Sequence, residues 1–403
     1  MFNKKEVLNR KLTLKPYNQL FLKNGLKVSI VSSANLTSSF FAYYFPFGFN
    51  KPNTETKYSA SKFVALAFLS FEYLLSESNL DLNYDNCYIG YYLENCYSSL
   101  FFYSKNQLEV KDIEYLTYII NQNEFDKDLN VLKEKALIRL SYVSSSKNIN
   151  ALYDNLFSKD DYPDFSLDYF KVLNELTLED VKYFITNYIY LGYKEGVSLS
   201  NLNSSKITET LNKVDFKFNK FELLKKNTDN YNLIVNENSK KIYCAFKLEN
   251  LDELKDIYEA KLLPLFDFTR LAFISDDSSF LNKKAFKNSI SHLKESKFFY
   301  SYNDCFYLVE FAMKNNIDID LLKNQLLKKR YNKKEFELLK KYLIEKINLK
   351  VNNIEYLFKF ILELLFLKTD INSFYSSLVD LTYSEFNEFI SKLLKEKLFF
   401  YGV

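Results

Sequence analysis

The sequence predicts an α+β protein made of two homologous domains, each an antiparallel or mixed β-sheet packed against several α-helices. Three observations carry that prediction. The chain has 403 residues, beyond the size at which a single hydrophobic core usually keeps growing. Strand and helix signals follow one another in a fixed order that recurs in the second half. Two segments also superpose when the chain is slid over itself.

In chain order, Leu20-Phe21-Leu22, the turn pair Asn24-Gly25 and the alternating Leu26 to Val31 predict a hairpin. A strand at Ser39 to Phe47 ends at Gly48. From Tyr58 to Leu75 apolar residues crowd a helix with few charges, which predicts burial on most sides. A strand pair spans Cys87 to Tyr103. Helices are predicted at about 109–121, 125–145, 148–157, 166–174 and 177–190, then a strand at Gly196 to Ser200. The polar, Lys-rich Asn203 to Asn230 is the expected linker, giving domains at 15–220 and 225–403. The second half repeats the order: a strand at Lys241 to Leu248, a helix from Glu253 to about Arg270, paired strands from Phe298 to Met313, helices from Ile317 to Leu394, and a closing strand at Leu398 to Gly402.

The repeat is visible residue by residue. Leu173 to Ile185 lies over Leu378 to Ile390, and both copies place a Thr at a helix start with an acid three residues on, Thr177 with Asp180 and Thr382 with Glu385. That spacing lets hydroxyl and carboxylate satisfy two orphan amides, with Asp180 the weaker form because its side chain is shorter. At nearly the same offset, Leu132, Lys135, Leu137 and Ile138 lie over Leu338, Lys341, Leu343 and Ile344.

Composition removes several classes of function. Lys and Arg number 54 against 51 acids, so no global field points to nucleic acid. No apolar run approaches the length of a membrane span, and no signal-peptide core follows the start, so a cytoplasmic protein is expected. Abundant Asn, Lys and Ile, with 39 Phe and 33 Tyr, read as codon bias in an AT-rich genome. Cys87, Cys96, Cys244 and Cys305 form no C-x-x-C pair and are expected to be reduced. The six glycines form neither a dinucleotide-binding nor a P-loop pattern. One histidine, His292, cannot supply a two-His metal site, no Ser sits in G-x-S-x-G, and His292 is expected to be a surface residue.

With these elements in order, Asn24-Gly25-Leu26-Lys27-Val28 resembles the opening hairpin of the insulinase-like zinc peptidase family. The helix at Lys62 to Leu75 stands where family enzymes carry His-x-x-Glu-His. Ala67, Ser70 and Phe71 fall on those three places, and Ser141 falls near the place of the third ligand, a Glu. None of these side chains binds zinc or takes a proton from water at neutral pH. Leu293 to Ser301 resembles the family segment L-R-E-K-x-L-x-Y-S, whose Arg and Tyr hold substrate beside zinc. Tyr300 matches the Tyr, whereas Lys294 replaces the Arg and loses its planar two-point grip. The plain alternative is a basic residue at a helix end followed by a core Tyr. Ser275 to Ser289 lacks the glycines of the peptide-guiding loop that the family's processing subunit carries.

The resemblance implies a degenerate, non-catalytic member with no metal and no cofactor. Family enzymes of this length work as pairs, so the implied partner is a paralogous zinc-bearing chain in a heterodimer, with a peptide as shared substrate. The alternative is a structural subunit of a larger protein complex. Neither nucleic acid nor a membrane span is implied. Lys328 to Lys334 is expected to be a solvated corner, and Ile361 to Leu367 core.

Overall fold

The computed structural model describes residues 17–32, 36–52, 57–76, 86–121, 127–144, 156, 162–218, 241–248, 250–274, 290–300, 304–313, 332–395 and 398–402. The chain packs as two compact units: Met1–Ser145, Leu167–Leu223 and Lys350–Leu362 form the first, and Ser146–Ser166, Leu224–Leu349 and Glu363–Val403 the second.

The first unit is a six-stranded sheet. Strands β1 (Tyr17–Phe21), β2 (Lys27–Ser32), β3 (Ser39–Phe45), β4 (Cys87–Leu93), β5 (Ser98–Ser104) and β6 (Glu195–Ser200) lie in the order β1-β2-β6-β3-β5-β4. Only the β2–β6 pair is parallel. The β1–β2 turn closes as the Asn-Gly pair requires. Gly25 takes φ +85°, where a Cβ would be strained, and the Asn24 side chain accepts from Leu26 N at 3.2 Å.

Strand β3 is buried along its whole length because both faces of the sheet are covered. On one face, Phe45 and neighbouring Phe47 pack on Phe71 of α1 (Ala60–Ser76). On the other, Phe40 stacks on Phe358 at 4.6 Å, from helix α10 (Ile354–Phe366). Helices α2 (Val110–Ile120), α3 (Leu129–Ser144), α4 (Tyr169–Asn174) and α5 (Leu178–Phe184) follow β5 in sequence. The chain then widens into a π-helical turn, Ile185–Tyr190, where Leu191 N donates five residues back to the Thr186 carbonyl at 2.8 Å. Buried Lys194 closes that turn, its ammonium donating to the Tyr190 carbonyl at 2.7 Å and the Gly192 carbonyl at 3.1 Å. Burial lowers this amine to about 8.

The predicted linker begins instead as helix α6 (Ser204–Asn212). Asn203 caps it, accepting from Ser205 N at 3.0 Å, and Ile207 and Leu211, four residues apart, are its buried face. The Asn24 amide of the hairpin reaches back to the carbonyls of Leu211 and Val214 at 2.7 and 2.8 Å. Polar composition hid a helix whose stability comes from one short apolar stripe and the hairpin's cap. Residues 219–230 of that segment lie outside the described residues.

In the second unit the described strands are β7 (Lys241–Lys247), β8 (Ile290–Tyr300), β9 (Cys305–Met313) and β10 (Leu398–Gly402). Their order is β10-β7-β9-β8, every pair antiparallel. The helix expected from Glu253 is divided. Helix α7 (Leu251–Tyr258) stops at Glu259, whose φ is +48°, and after a 3-10 turn α8 (Leu262–Ile274) restarts with Pro264 in its first turn. Proline lacks the amide that a continuous helix would need there but is tolerated in a first turn. In chain order helix α9 (Lys333–Lys350), then α10, most of which belongs to the first unit, and then α11 (Ile371–Asp380) and α12 (Tyr383–Lys395) lead to β10. The predicted helical stretches 148–155 and 317–331 lie outside the described residues. No helix among the described residues is long and apolar enough to cross a membrane.

Both Thr-acid motifs form full capping boxes. Thr177 N donates to Asp180 Oδ2 at 3.0 Å and Asp180 N to Thr177 Oγ1 at 3.3 Å, while Thr382 N donates to Glu385 Oε2 at 2.8 Å and Glu385 N to Thr382 Oγ1 at 3.3 Å. All four cysteines are free thiols.

Candidate functional site

Helix α1 is the central element of the site that the sequence singles out. It carries two charged residues, Lys62 and Glu72, in seventeen positions, and fourteen of the seventeen are buried. Ala67, Ser70 and Phe71 have no exposed surface. The Phe71 ring stacks on Tyr91 of β4 at 4.9 Å and 11°, and also packs on Phe45 and Phe47. Ser70 Oγ is buried with no hydrogen-bond partner among the described residues. At the three positions that the resemblance singles out, α1 is buried, with rings packed around Phe71.

Ser141 does not join them. It is exposed on α3, its hydroxyl donating to the Ile138 carbonyl at 2.7 Å. What α1 and α3 do bring together is a pair the sequence reading passed over. Glu72 is 7% exposed at its side chain, and its Oε1 lies 3.7 Å from Nε of Arg139, a side chain 61% exposed. Tyr91 Oη donates to the same Glu72 oxygen at 2.8 Å. The Arg139 guanidinium also lies 5.9 Å from the Tyr91 ring centroid, so one phenol ring contacts Phe71, the acid and the base.

The electrostatics follow from this geometry. Burial, then the adjacent Glu72 carboxylate, push the Tyr91 phenol far above its ordinary value, with Arg139 pulling weakly the other way. Tyr91 therefore stays a neutral donor to Glu72. A carboxylate with one phenol donor and one guanidinium is balanced in charge without a metal. The fit to zinc fails on donors: Ala67, Ser70 and Phe71 offer a methyl, an unpartnered hydroxyl and a phenyl, and the acid beside them, Glu72, is already paired. No cluster of three His, Cys, Asp or Glu side chains suited to a metal occurs among the described residues. The signal for this pair was present in the sequence as a lone acid inside an otherwise apolar helix, a residue type almost never buried unless paired.

Lys294 and Tyr300 lie on β8, which begins at Ile290 rather than at Phe298. Lys294 is thus a strand residue and not the end of a helix. The register with β9 slips between Leu293 and Glu295, leaving Lys294 as the extra residue of a bulge, and Tyr300 pairs with Cys305. Their side chains, like that of His292, lie outside the described residues.

No protein-family model matches the sequence, and no curated protein matches it. Solved structures do match over nearly the whole length. A protein described as an M16-like peptidase from Alicyclobacillus acidocaldarius superposes with a TM-score of 0.69 at 12% identity, covering 96% of this chain and 97% of the other. The peptidase M16 inactive domain from Pseudomonas fluorescens gives 0.67 at 12% identity, with 96% and 97% covered. A chain of complex III2 from Candida albicans gives 0.66 at 13%, with 96% and 95% covered. The architecture of this chain, duplicated sheet-and-helix units around packed central helices, is that of the M16-like, or insulinase-like, peptidases.

Proposed function

We propose that this chain is a non-catalytic counterpart of the M16-like peptidases, a cytoplasmic subunit that pairs with a metal-bearing paralogue and contributes wall and substrate contacts. The observation that carries this reading is the filled position on α1: Ala67, Ser70 and Phe71 without exposed surface, beside a Glu72 carboxylate already matched by Arg139 and Tyr91. In this reading Lys294 and Tyr300 serve in trans, holding a peptide that the partner cleaves. The M16 inactive domain with the same fold supports a non-catalytic role on this scaffold.

The test is reconstitution. The purified chain is expected to bind no stoichiometric zinc and to cleave no peptide in a chelator-sensitive way. It should co-purify with a paralogue carrying His-x-x-Glu-His, and Tyr300→Phe should lower the activity of the pair. Full activity of that paralogue without this chain would end the proposal in favour of a second reading, a structural subunit of a larger complex. That second reading draws on the fold shared with a chain of complex III2. It expects Lys294→Ala and Tyr300→Ala to leave function intact.

A further inference from the structure

Helices α3 and α9 come after β5 and β9 in sequence, the second strands of the β4–β5 and β8–β9 pairs, and each buries one side. In α3 the buried residues are Leu132, Ala136 and Leu140; in α9 they are Phe336, Leu339, Leu343 and Ile347. A helix with one buried stripe normally turns charge to solvent on the other side. These two do not. On α3, Val131, Ile138 and Tyr142 are each more than half exposed, and Lys135 is exposed between them. On α9, Leu338, Tyr342 and Leu349 are each more than half exposed, and Glu345 is exposed between them. Each set of four falls at spacing i, i+4, i+7, i+11, which places it in one stripe about 40° to 60° wide on a 3.6-residue helix. That spacing is the seam of a helix pair.

The two stripes are complementary in one orientation only. Laid antiparallel, Val131 meets Leu349, Lys135 meets Glu345, Ile138 meets Tyr342, and Tyr142 meets Leu338. Three apolar pairs and one pair of opposite charge result. Laid parallel, Ile138 would meet Glu345 and Lys135 would meet Tyr342, so each charge would lose its counterpart. Neither Lys135 nor Glu345 forms an ion pair with a described residue.

We infer that α3 of one copy docks antiparallel on α9 of a second copy of this chain. The occupant is a second copy because every chain carries both halves of the match, in register and in charge. A contact between two unlike patches of identical chains closes reciprocally or propagates head to tail. The apolar seam supplies the association, and the Lys135–Glu345 pair sets direction and register. This self-association is independent of any peptidase partner.

The experiment uses the full chain in light scattering across a dilution series. A species of at least twice the chain mass is expected, and Lys135→Glu or Glu345→Lys should each weaken it by about tenfold or more. The double variant, with the charges exchanged, should recover the parent's association to within about threefold. All these positions are exposed, so circular dichroism should stay unchanged. As a second measurement, chains carrying Ile138→Cys are mixed with chains carrying Tyr342→Cys and oxidised, and a disulfide between the two kinds of chain is expected. A monomer up to about 0.1 mM would overturn the inference, because such a site would have no useful affinity. So would failure of the exchanged charges to restore association. A disulfide that forms only when both substitutions sit in one chain would also overturn it.

Discussion

The two units invite comparison because they are built on one plan. The strand order β6-β3-β5-β4 of the first reappears as β10-β7-β9-β8 in the second, antiparallel at every step. In each, a helix preceding the last strand opens on a Thr-acid capping box. In each, that acid is also held by residues just before the central helix: Lys57 and Tyr58 hold Asp180, and Lys261 holds Glu385. The units differ in the central helix. In the first, α1 runs unbroken and buries Glu72 against Arg139. In the second, α8 is set off by the turn at Glu259, and its charges, Asp267 and Arg270, pair with each other nearer the surface at 3.5 Å. Yet both helices present rings to their neighbours: Phe71 to Tyr91 in one, Phe268 to Phe336 and Phe386 in the other. The lesson is that α1, at the place where the resemblance expects chemistry, is packed like its counterpart, where none is expected.

The strongest way to break this comparison is to remove the rings. Phe71→Ala and Phe268→Ala should each lower unfolding free energy in urea by about 3–5 kcal/mol, the usual cost of an aromatic cavity in a core. A small loss at Phe71 alone would mean that α1 borders open space and is not a packing helix. Next comes the Glu72–Arg139 pair. Arg139→Met leaves a buried carboxylate with only Tyr91 and should cost about 1–2 kcal/mol, kept small because the guanidinium is largely exposed. The double variant with Glu72→Gln should recover part of that loss, and simple additivity in the double-mutant cycle would dissolve the pair as a unit.

Capping is expected to matter equally in both units: Thr177→Ala and Thr382→Ala should each cost about 1 kcal/mol in the same urea assay. The smallest effect is acid sensitivity. Although burial alone would raise Glu385, hydrogen bonds from Lys261 and Thr382 lower it to about 2. A carboxyl lowered on folding contributes stability above its unfolded value of about 4.3, and that contribution fades as pH falls toward 2. Glu385→Gln should therefore be less stable than the parent at pH 6 and indistinguishable from it at pH 2. Asp180 is lowered in the same direction, so Asp180→Asn should show the same sign.

Much of the fold could be read from residues with local consequences. Asn24-Gly25 set a turn, the Thr-acid pairs set two helix starts, and the apolar run after Tyr58 announced a buried helix. What escaped depended on contacts distant in sequence. Helix α6 hid in a polar segment because two apolar residues and a cap from a hairpin nearly two hundred positions earlier hold it. Strand β8 was read too short because His292, Lys294 and Glu295 look like a loop or a helix end, whereas pairing with β9 and two register slips accommodate them. At the site, the burial of Ala67, Ser70 and Phe71 was legible in the apolar run of α1, as was the need of the lone acid Glu72 for a partner. Which residues partner Glu72 was not, since Arg139 and Tyr91 lie on a second helix and a strand that only folding brings to it.

The amine of Lys194 has a use for the experimenter that its role in closing the π-helical turn does not advertise. Burial leaves a substantial neutral fraction at mildly alkaline pH, so the group is chemically ready to acylate, yet it is shielded while its two carbonyl contacts hold. Its labelling by an amine reagent would therefore clock the opening of that corner of the first unit, giving the native protein an internal gauge of local unfolding.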